Sequence, residues 1–253
     1  MKQAQTILDL REQLRQLGWA PEDRVLIDQA YAQACRLFSA KFRGAGRPFL
    51  CHLVGTASIV AGHGANAEVV SAALLHAAYR QGDFGTHTGR PRRAQRADMA
   101  RRFGAVVQDL IQEYGDLDWA QMIRLDTAAL TAVAAGVPSQ VLFIRAANEL
   151  EDSQEYPFYP RDEQEARMTG LAAAARLARI AGYPALERQI DQRLRELASP
   201  RQDLATGTSS SSFSSSYTLI PLSCGRKPVL VLLRNIRAGL WHVKKFLRAR
   251  GTA

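Results

Sequence analysis

The chain has 253 residues, of which 47% are hydrophobic and 23% charged, and its formal net charge is +9. This composition is ordinary for a globular protein and excludes wholesale disorder. Residues 1–200 carry 24 Lys/Arg against 23 Asp/Glu, whereas residues 201–253 carry nine against one. A domain that wraps duplex DNA usually carries its positive charge on the folded body, so we expect no nucleic-acid binding.

Cysteine usage and hydropathy indicate the compartment. The three cysteines form no CxxC pair, and the N-terminal residues lack the uninterrupted apolar stretch of a secretory signal. No stretch reaches the roughly 18 apolar residues that a transmembrane helix needs. These features predict a cytoplasmic protein, which its C-terminal segment could attach peripherally to the inner face of the membrane.

Apolar residues recur at helical spacing through most of the first 200 residues, and no period-2 pattern is convincing. The predicted helices cover residues 7–17, 21–38, 48–62, 67–80, 97–114, 119–135, 139–153, 161–182 and 184–198. The helix over 67–80 is apolar on most sides, which predicts a central buried position. The predicted fold class is therefore all-α, a multi-helix bundle over residues 1–200.

The composition changes beyond Ser199. Residues 201–227 contain the Ser-rich stretch TSSSSFSSS and are predicted to form a flexible linker. Residues 228–253 are predicted to form a basic amphipathic helix, because their apolar residues alternate by three and four. Such helices bind anionic membrane surfaces or protein partners. The alternative is that this helix docks on the body and hides its own apolar face.

Three polar side chains interrupt apolar helical faces: His52, His76 and Asn148. Burying an imidazole or an amide without a hydrogen-bond partner costs about 1–3 kcal/mol. We therefore expect these three side chains to meet in the folded protein. They form either a functional site or a hydrogen-bonded cluster within the core.

Two of these residues end short motifs. The stretch FRGAGRPFLCH at residues 42–52 resembles the opening motif of HD-superfamily domains, most closely that of the guanosine tetraphosphate hydrolase half of RelA/SpoT enzymes. AALLH at 72–76 is similar to the next metal-binding helix of that family, and residues 144–148 lie where its last metal-binding Asp falls. The resemblance spans residues 25–182 and implies an HD-like bundle. It also implies a divalent Mn²⁺ or Fe²⁺ ion held by His52, His76 and Asn148.

The chain departs from this family at the residues that perform hydrolysis. Ala77 stands where the family has Asp, and Arg80 and Gln81 replace its catalytic Glu-Asp pair. Asn148 replaces the last Asp ligand, although such metal ions favour carboxylates among their ligands. No carboxylate remains at a motif position to act as a base. We therefore do not expect pyrophosphohydrolysis by the family's mechanism.

A closer resemblance is to an HD-like family of bacteria and plants whose activity is not known. Its pattern HLxGT, HxxYxxxxF and ANxLE occurs here at residues 52–56, 76–84 and 147–151. This resemblance implies a modified pocket formed by His52, Thr56, His76, Tyr79 and Asn148.

The resemblance predicts that this pocket binds or modifies a small anionic metabolite, such as a nucleotide or a sugar phosphate. His52 and His76 would act as metal ligands or acid/base groups. Asn148 would orient water or substrate, and Tyr79 would donate a hydrogen bond.

Charged residues flank the predicted pocket. Arg43 and Arg47 would hold phosphate, and the arginines of residues 90–102 would form a basic rim that attracts it. Alternatively, those arginines and the acidic residues of 149–165 lie in solvated loops that partly neutralise each other. The alternative function is a catalytically inactive HD scaffold that acts as a membrane-associated or partner-binding accessory protein through residues 228–250.

Overall fold

A computed structural model of the chain describes residues 3–43, 46–85, 93–199 and 217–218. The helices of these residues are α1 (Ile7–Gln16), α2 (Pro21–Phe38), α3 (Phe49–Gly62), α4 (Ala67–Leu75), α5 (Ala78–Gln81), α6 (Arg93–Phe103), α7 (Ala105–Asp116), α8 (Trp119–Met122), α9 (Thr127–Ala134), α10 (Ser139–Asp152), α11 (Arg161–Ile180) and α12 (Pro184–Ala198), with a 3-10 turn at Tyr156–Phe158. Strand β1 (Lys41–Phe42) pairs antiparallel with β2 (Tyr217–Thr218). No other sheet occurs in the described residues, and the predicted all-α fold class is confirmed.

The centre of the bundle is formed by α3, α4 and α10. Helix α4 packs against α2, α3 and α7, and every one of its residues except Glu68 is buried. Helix α10 packs against α3, α7, α11 and α12. A helix that is apolar on all sides must be covered on all sides, so the sequence of α4 places it in the core. The polar residues of α3, α4 and α10 therefore face one another inside the bundle.

The helix predicted over residues 67–80 ends early, at Leu75, and a separate helix starts at Ala78. The imidazole of His76 explains the break. Its Nδ1 atom donates to the carbonyl oxygen of Ala73 at 2.7 Å, which is the acceptor that a continued helix would offer to the N–H of Ala77. His76 thus lies at the C-terminal end of α4, where its ring reaches the centre of the bundle.

Two other predicted helices are divided as well. The region 97–114 contains α6 and α7, which are separated by Gly104 with φ of 85°. Its ψ is 161°, and this combination of angles ends an α-helix and is essentially restricted to glycine. The region 119–135 contains α8 and α9, because Asp126 accepts a hydrogen bond from the N–H of Ala129 at 2.8 Å and begins a new helix.

Several sequence predictions lie outside the described residues. They are the basic helix over 228–253, Arg90 and Arg92 of the basic rim, and the linker over 201–227. Only the two residues of β2 are described within that linker. Among the helices that are described, none is long and apolar enough to cross a membrane.

Candidate functional site

The three polar residues singled out in the sequence meet in the structure. His52 on α3, His76 at the end of α4 and Asn148 on α10 are all buried, and the two Nε2 atoms of the histidines lie 3.4 Å apart. They border a cavity of about 120 Å³. The cavity is lined by Arg43, Phe49, His52, His76, Ala77, Arg80, Gln81, Tyr114, Leu117, Trp119, Arg145, Asn148 and Asp152.

The tautomer of each histidine follows from its neighbours. The carbonyl of Ala73 can only accept a hydrogen bond, so His76 carries its proton on Nδ1. Nδ1 of His52 lies 2.5 Å from Oε2 of Glu151 and 3.1 Å from Oδ1 of Asp152, so it also carries a proton. In their neutral forms, the two Nε2 atoms therefore point lone pairs at each other. A proton or a metal cation has to lie between them.

When a proton fills this position, it belongs to His52. Burial and the charge of Arg43 act against protonation, but the carboxylates of Asp152 and Glu151 outweigh them and raise the pKa of His52. Burial and the neighbouring charge of His52 lower the pKa of His76 to about 3. A neutral His76 thus accepts a hydrogen bond from a protonated His52.

Two consecutive acidic residues at the end of α10 support His52. Glu151 is fully buried and receives two hydrogen bonds from Arg47, of 2.6 and 2.7 Å. Asp152 forms an ion pair with Arg43, and its Oδ2 accepts from Nδ2 of Asn148 at 3.1 Å. Burial alone would raise the pKa of Asp152, but the charges of Arg43 and His52 hold it well below its usual range.

The two arginines predicted to hold phosphate are bound to these carboxylates. Arg43 lines the cavity but is paired with Asp152 and also with Glu155, whose Oε1 lies 3.4 Å from its Nε. Arg47 does not line the cavity, and it joins Glu151 to Glu155. Since carboxylates occupy both guanidinium groups, their role in holding phosphate stays a prediction.

Arg80 differs from these arginines. Its Nε and Nη2 donate to the backbone carbonyls of Gly115 and Leu117, each at 2.6 Å. No carboxylate of the described residues lies within ion-pair distance of it. Arg145, by contrast, forms an ion pair with Glu149 and lies 4.7 Å from the ring centroid of Trp119. Arg80 is exposed to solvent and lines the cavity, so it offers a positive charge there that no described carboxylate pairs with.

Two predicted pocket residues lie outside the cavity lining. Thr56 is buried, but its hydroxyl donates to the carbonyl of His52 at 3.0 Å, one turn back along α3. Tyr79 lies on α5 with its ring 6.1 Å from that of Phe84. The cavity is instead lined by Tyr114 and Trp119, which the sequence pattern did not predict as pocket residues.

The donor atoms of the site fit a divalent metal ion. Two imidazole nitrogens that bind one ion at about 2.1 Å with a tetrahedral angle lie roughly 3.4 Å apart. The Nε2 atoms of His52 and His76 have this separation. Asp152 lines the same cavity, but its Oδ1 lies 3.1 Å from Nδ1 of His52, on the other side of the ring, and Arg43 and Asn148 bind its oxygens. The sequence placed only the neutral amide of Asn148 at this point; the carboxylate follows one helical turn later.

A different donor group, His52 with Glu151 and Asp152, would use the Nδ1 side of the ring. We favour the Nε2 side, because Arg47 already binds both oxygens of Glu151, and Arg43 and Asn148 bind those of Asp152. Glu151 would then act on the metal through His52, as carboxylates next to metal-binding histidines commonly do.

The sequence contained a signal for the two missed carboxylates. Val141, Ile144 and Asn148 continue at spacings of three and four to Glu151 and Asp152, so both acids follow the buried face of α10. A carboxylate on an apolar face needs a cationic partner. The motif arginines, at 43 and 47, are those partners.

An HD-domain family model matches residues 30–157, about half of the chain. The chain therefore belongs to the HD-domain family, as the motifs around His52 and His76 predicted.

Its relatives include proteins named GTP pyrophosphokinase from Streptomyces coelicolor and Streptomyces antibioticus. Each is 26% identical over 142 residues, which are 55% of this chain but only 16% of the relative. A solved structure is described as that of a metazoan ortholog of SpoT that hydrolyzes ppGpp and plays a role in starvation responses. It matches with a TM-score of 0.50 and 16% identity, over 71% of this chain and 97% of that one. This likeness confirms the HD-like helical fold.

Proposed function

We propose that the chain binds a small phosphorylated metabolite in the cavity beside His52 and His76, and that it does not hydrolyse pyrophosphate by the family's mechanism. The observation that carries the proposal is that Arg80 is held in place and has no carboxylate partner among the described residues. Two backbone carbonyls fix its guanidinium, and no described carboxylate neutralises it. Three of its five N–H groups remain for a ligand. An arginine held in advance loses little freedom when it binds phosphate oxygens.

The size of the cavity limits what it takes in. Its volume of about 120 Å³ is below the roughly 300–1,000 Å³ of pockets that enclose a whole drug-sized ligand. A phosphate group is small enough to enter, and the rest of the metabolite would stay outside. Trp119, which is partly buried, lines the same cavity and offers apolar contact to that remainder.

Among the described residues, the cavity offers no free carboxylate for activating water. Asp152 is the only carboxylate among its lining residues, and Arg43, His52 and Asn148 already bind its oxygens. A general base has to be free to take a proton from the attacking water. Where the related hydrolases have their acid pair, this chain has Arg80 and Gln81, a cation and an amide. This exchange favours binding over turnover.

A divalent metal ion, when bound, would be held by the Nε2 atoms of His52 and His76, and would supply positive charge to a phosphate oxygen. Asn148 keeps Asp152 in place by donating to its Oδ2. Glu151 orients His52. The metal and Arg80 would thus bind one phosphate group between them. The description of a structural relative as a protein that hydrolyzes ppGpp supports a phosphorylated ligand of this kind.

Calorimetric titration of the full chain with inorganic phosphate, in the presence of Mn²⁺, tests the proposal. Arg80→Met should weaken binding about tenfold or more, because a charged hydrogen bond contributes roughly 1.5–3 kcal/mol. The matched control is Arg11→Met, since Arg11 is exposed and bound to Asp28, away from the cavity lining. No binding by the wild type, or equal binding by wild type and Arg80→Met, would contradict the proposal.

A second assay separates binding from hydrolysis. The full chain is incubated with guanosine tetraphosphate and Mn²⁺, quenched with chelator, and the released pyrophosphate is measured. We expect no more pyrophosphate from the wild type than from His76→Ala. Sustained release by the wild type that His76→Ala abolishes would show a hydrolase.

A further inference from the structure

Helices α3 and α10 approach very closely beside His52. A Cβ atom at Gly55 would lie 2.6 Å from Oε1 and 2.7 Å from Cγ of Glu151, and 2.6 Å from Nε2 of Gln3. Real Cβ atoms do not come so close to other heavy atoms. Glycine at position 55 is thus what allows the Glu151 side chain to reach His52.

Glu151 is also held from its other side. Arg47 donates Nη1–H to Oε1 and Nη2–H to Oε2 in a paired arrangement that fixes the plane of the carboxylate. The same Nη1 donates to Oε1 of Gln5 at 2.8 Å, which ties the segment before α1 to this group. The carboxylate is fully buried, so it has one orientation and one acceptor direction left, towards Nδ1 of His52.

We propose that Glu151 is a positioning residue for His52, and that Gly55 and Arg47 hold it in place. The carboxylate keeps the proton of His52 on Nδ1, and the lone pair of Nε2 therefore faces His76 and the cavity. The Nδ1 contact also makes Nε2 a better donor to a cation. The effect on metal binding rests on the proposed function, whereas the effect on the His52 tautomer does not.

This assignment explains why two of the short motifs, HLxGT and ANxLE, occur together. The pattern residues His52, Gly55 and Glu151 lie on two helices about a hundred positions apart, yet they touch one another. An ion pair that only stabilised the fold would need Arg47, Gly55 and Glu151, but it would not need the histidine.

Proton NMR of the metal-free full chain, with ¹⁵N-labelled histidine, tests the positioning role. The N–H of His52 in contact with a buried carboxylate should give a downfield, slowly exchanging resonance on Nδ1. Glu151→Gln should shift this resonance upfield or remove it. Glu149→Gln is the matched control, because Glu149 is also buried on α10 and paired with an arginine, Arg145.

A second variant perturbs the same contact without changing charge. Gly55→Ala should displace Glu151 and give the same spectral change as Glu151→Gln. Gly62→Ala, on the same helix, is its control, because the nearest atom to the added Cβ is 3.5 Å away. Unchanged His52 resonances in Glu151→Gln and Gly55→Ala, or equal changes in the two controls, would overturn the assignment.

Metal affinity gives an independent readout. Loss of such a supporting residue typically weakens metal binding about 10–100-fold. We therefore expect Glu151→Gln to weaken Mn²⁺ binding by this factor, and Glu151→Asp to restore part of it. If the wild type binds no Mn²⁺ but keeps the Nδ1 resonance, the proposed metal site fails and the positioning role stands. Equal Mn²⁺ affinity in wild type and Glu151→Gln would contradict the positioning role of Glu151 but not the metal site.

Discussion

At the scale of single residues, the site is defined by two imidazole lone pairs that face each other. A backbone carbonyl and a carboxylate hold the Nδ1 protons of His76 and His52. In its neutral form, each ring therefore carries no proton on Nε2. Only a proton or a cation relieves this arrangement. Stability and metal binding should therefore both depend on pH.

The lowered pKa of His76 makes the free energy of unfolding depend on pH. The unfolded chain protonates His76 below its ordinary pKa of about 6.5, whereas the folded protein keeps it neutral down to about 3. Stability should hence fall as pH falls from 6.5 to 4.5, by at most about 1.4 kcal/mol per pH unit from this residue. His52, whose pKa is raised, is protonated in both states only in the lower part of this window; near pH 6.5 the unfolded chain loses part of that proton, so His52 partly offsets the slope from His76 there.

Urea unfolding at several pH values between 4.5 and 6.5 measures this dependence. His76→Gln should flatten it, because glutamine does not titrate. The same slope in wild type and His76→Gln would contradict the lowered pKa.

Binding of Mn²⁺ should release the proton that the two histidines share. Because the pKa of His52 is raised, this proton is present at and somewhat above pH 6.5, so affinity should rise with pH through that range. Calorimetry in two buffers of different ionisation enthalpy should give about one proton released per ion. An affinity that does not change between pH 6 and 8 would show that the ion binds elsewhere.

At the scale of secondary structure, sequence periodicity predicted most helices because apolar spacing is a local property. It predicted α2 at Pro21–Phe38 and α12 at Pro184–Ala198 with the observed bounds. It failed at the end of α4, where the break depends on the hydrogen bond from His76 to Ala73. Such a contact depends on side-chain direction, which periodicity does not report.

In the candidate site, too, local sequence patterns predicted some residues, whereas long-range contacts determined others. Sequence reasoning brought His52, His76 and Asn148 together, because each is a polar residue on an apolar face. It did not predict that Arg80 lines the cavity without a carboxylate partner. The position of its guanidinium depends on the carbonyls of Gly115 and Leu117, which lie more than thirty residues later in the chain. Nor did it assign Glu151 to His52, since the pairing joins residues 99 positions apart.

The junction between α6 and α7 allows a direct test of backbone strain. Gly104 has φ of 85°, and a Cβ added there would meet no atom within 4 Å. Gly104→Ala should therefore cost about 1–3 kcal/mol of unfolding free energy from backbone strain alone. Gly136→Ala is the control, since its φ is not positive and its nearest contact is 3.7 Å. Equal thermal or urea stability of the two variants would contradict this account of the helix break.

At the scale of the whole molecule, the charge lies apart from the site. Residues 1–200 are nearly neutral and hold the described helical core, whereas residues 201–253 carry nine Lys/Arg against one acidic residue. The net charge of +9 therefore says little about the cavity. We propose that residues 228–250 bind an anionic membrane surface or a protein partner.

Sedimentation with liposomes tests this proposal for the C-terminal segment. The full chain should sediment with vesicles that contain anionic lipid and not with neutral ones, because each Lys or Arg near the surface contributes about 1 kcal/mol. A chain truncated after Ser199 should stay in the supernatant with both. Equal sedimentation of the two chains would refute a membrane role for the segment.

The central claim is that the cavity binds a phosphate group between a metal ion and Arg80. Crystals of the full chain grown with Mn²⁺ and inorganic phosphate, with diffraction recorded at the manganese edge, test it most directly. The account predicts an anomalous peak between the Nε2 atoms of His52 and His76, and a phosphate in contact with Arg80. A manganese on the Nδ1 side of His52, or a phosphate bound away from Arg80, would contradict it.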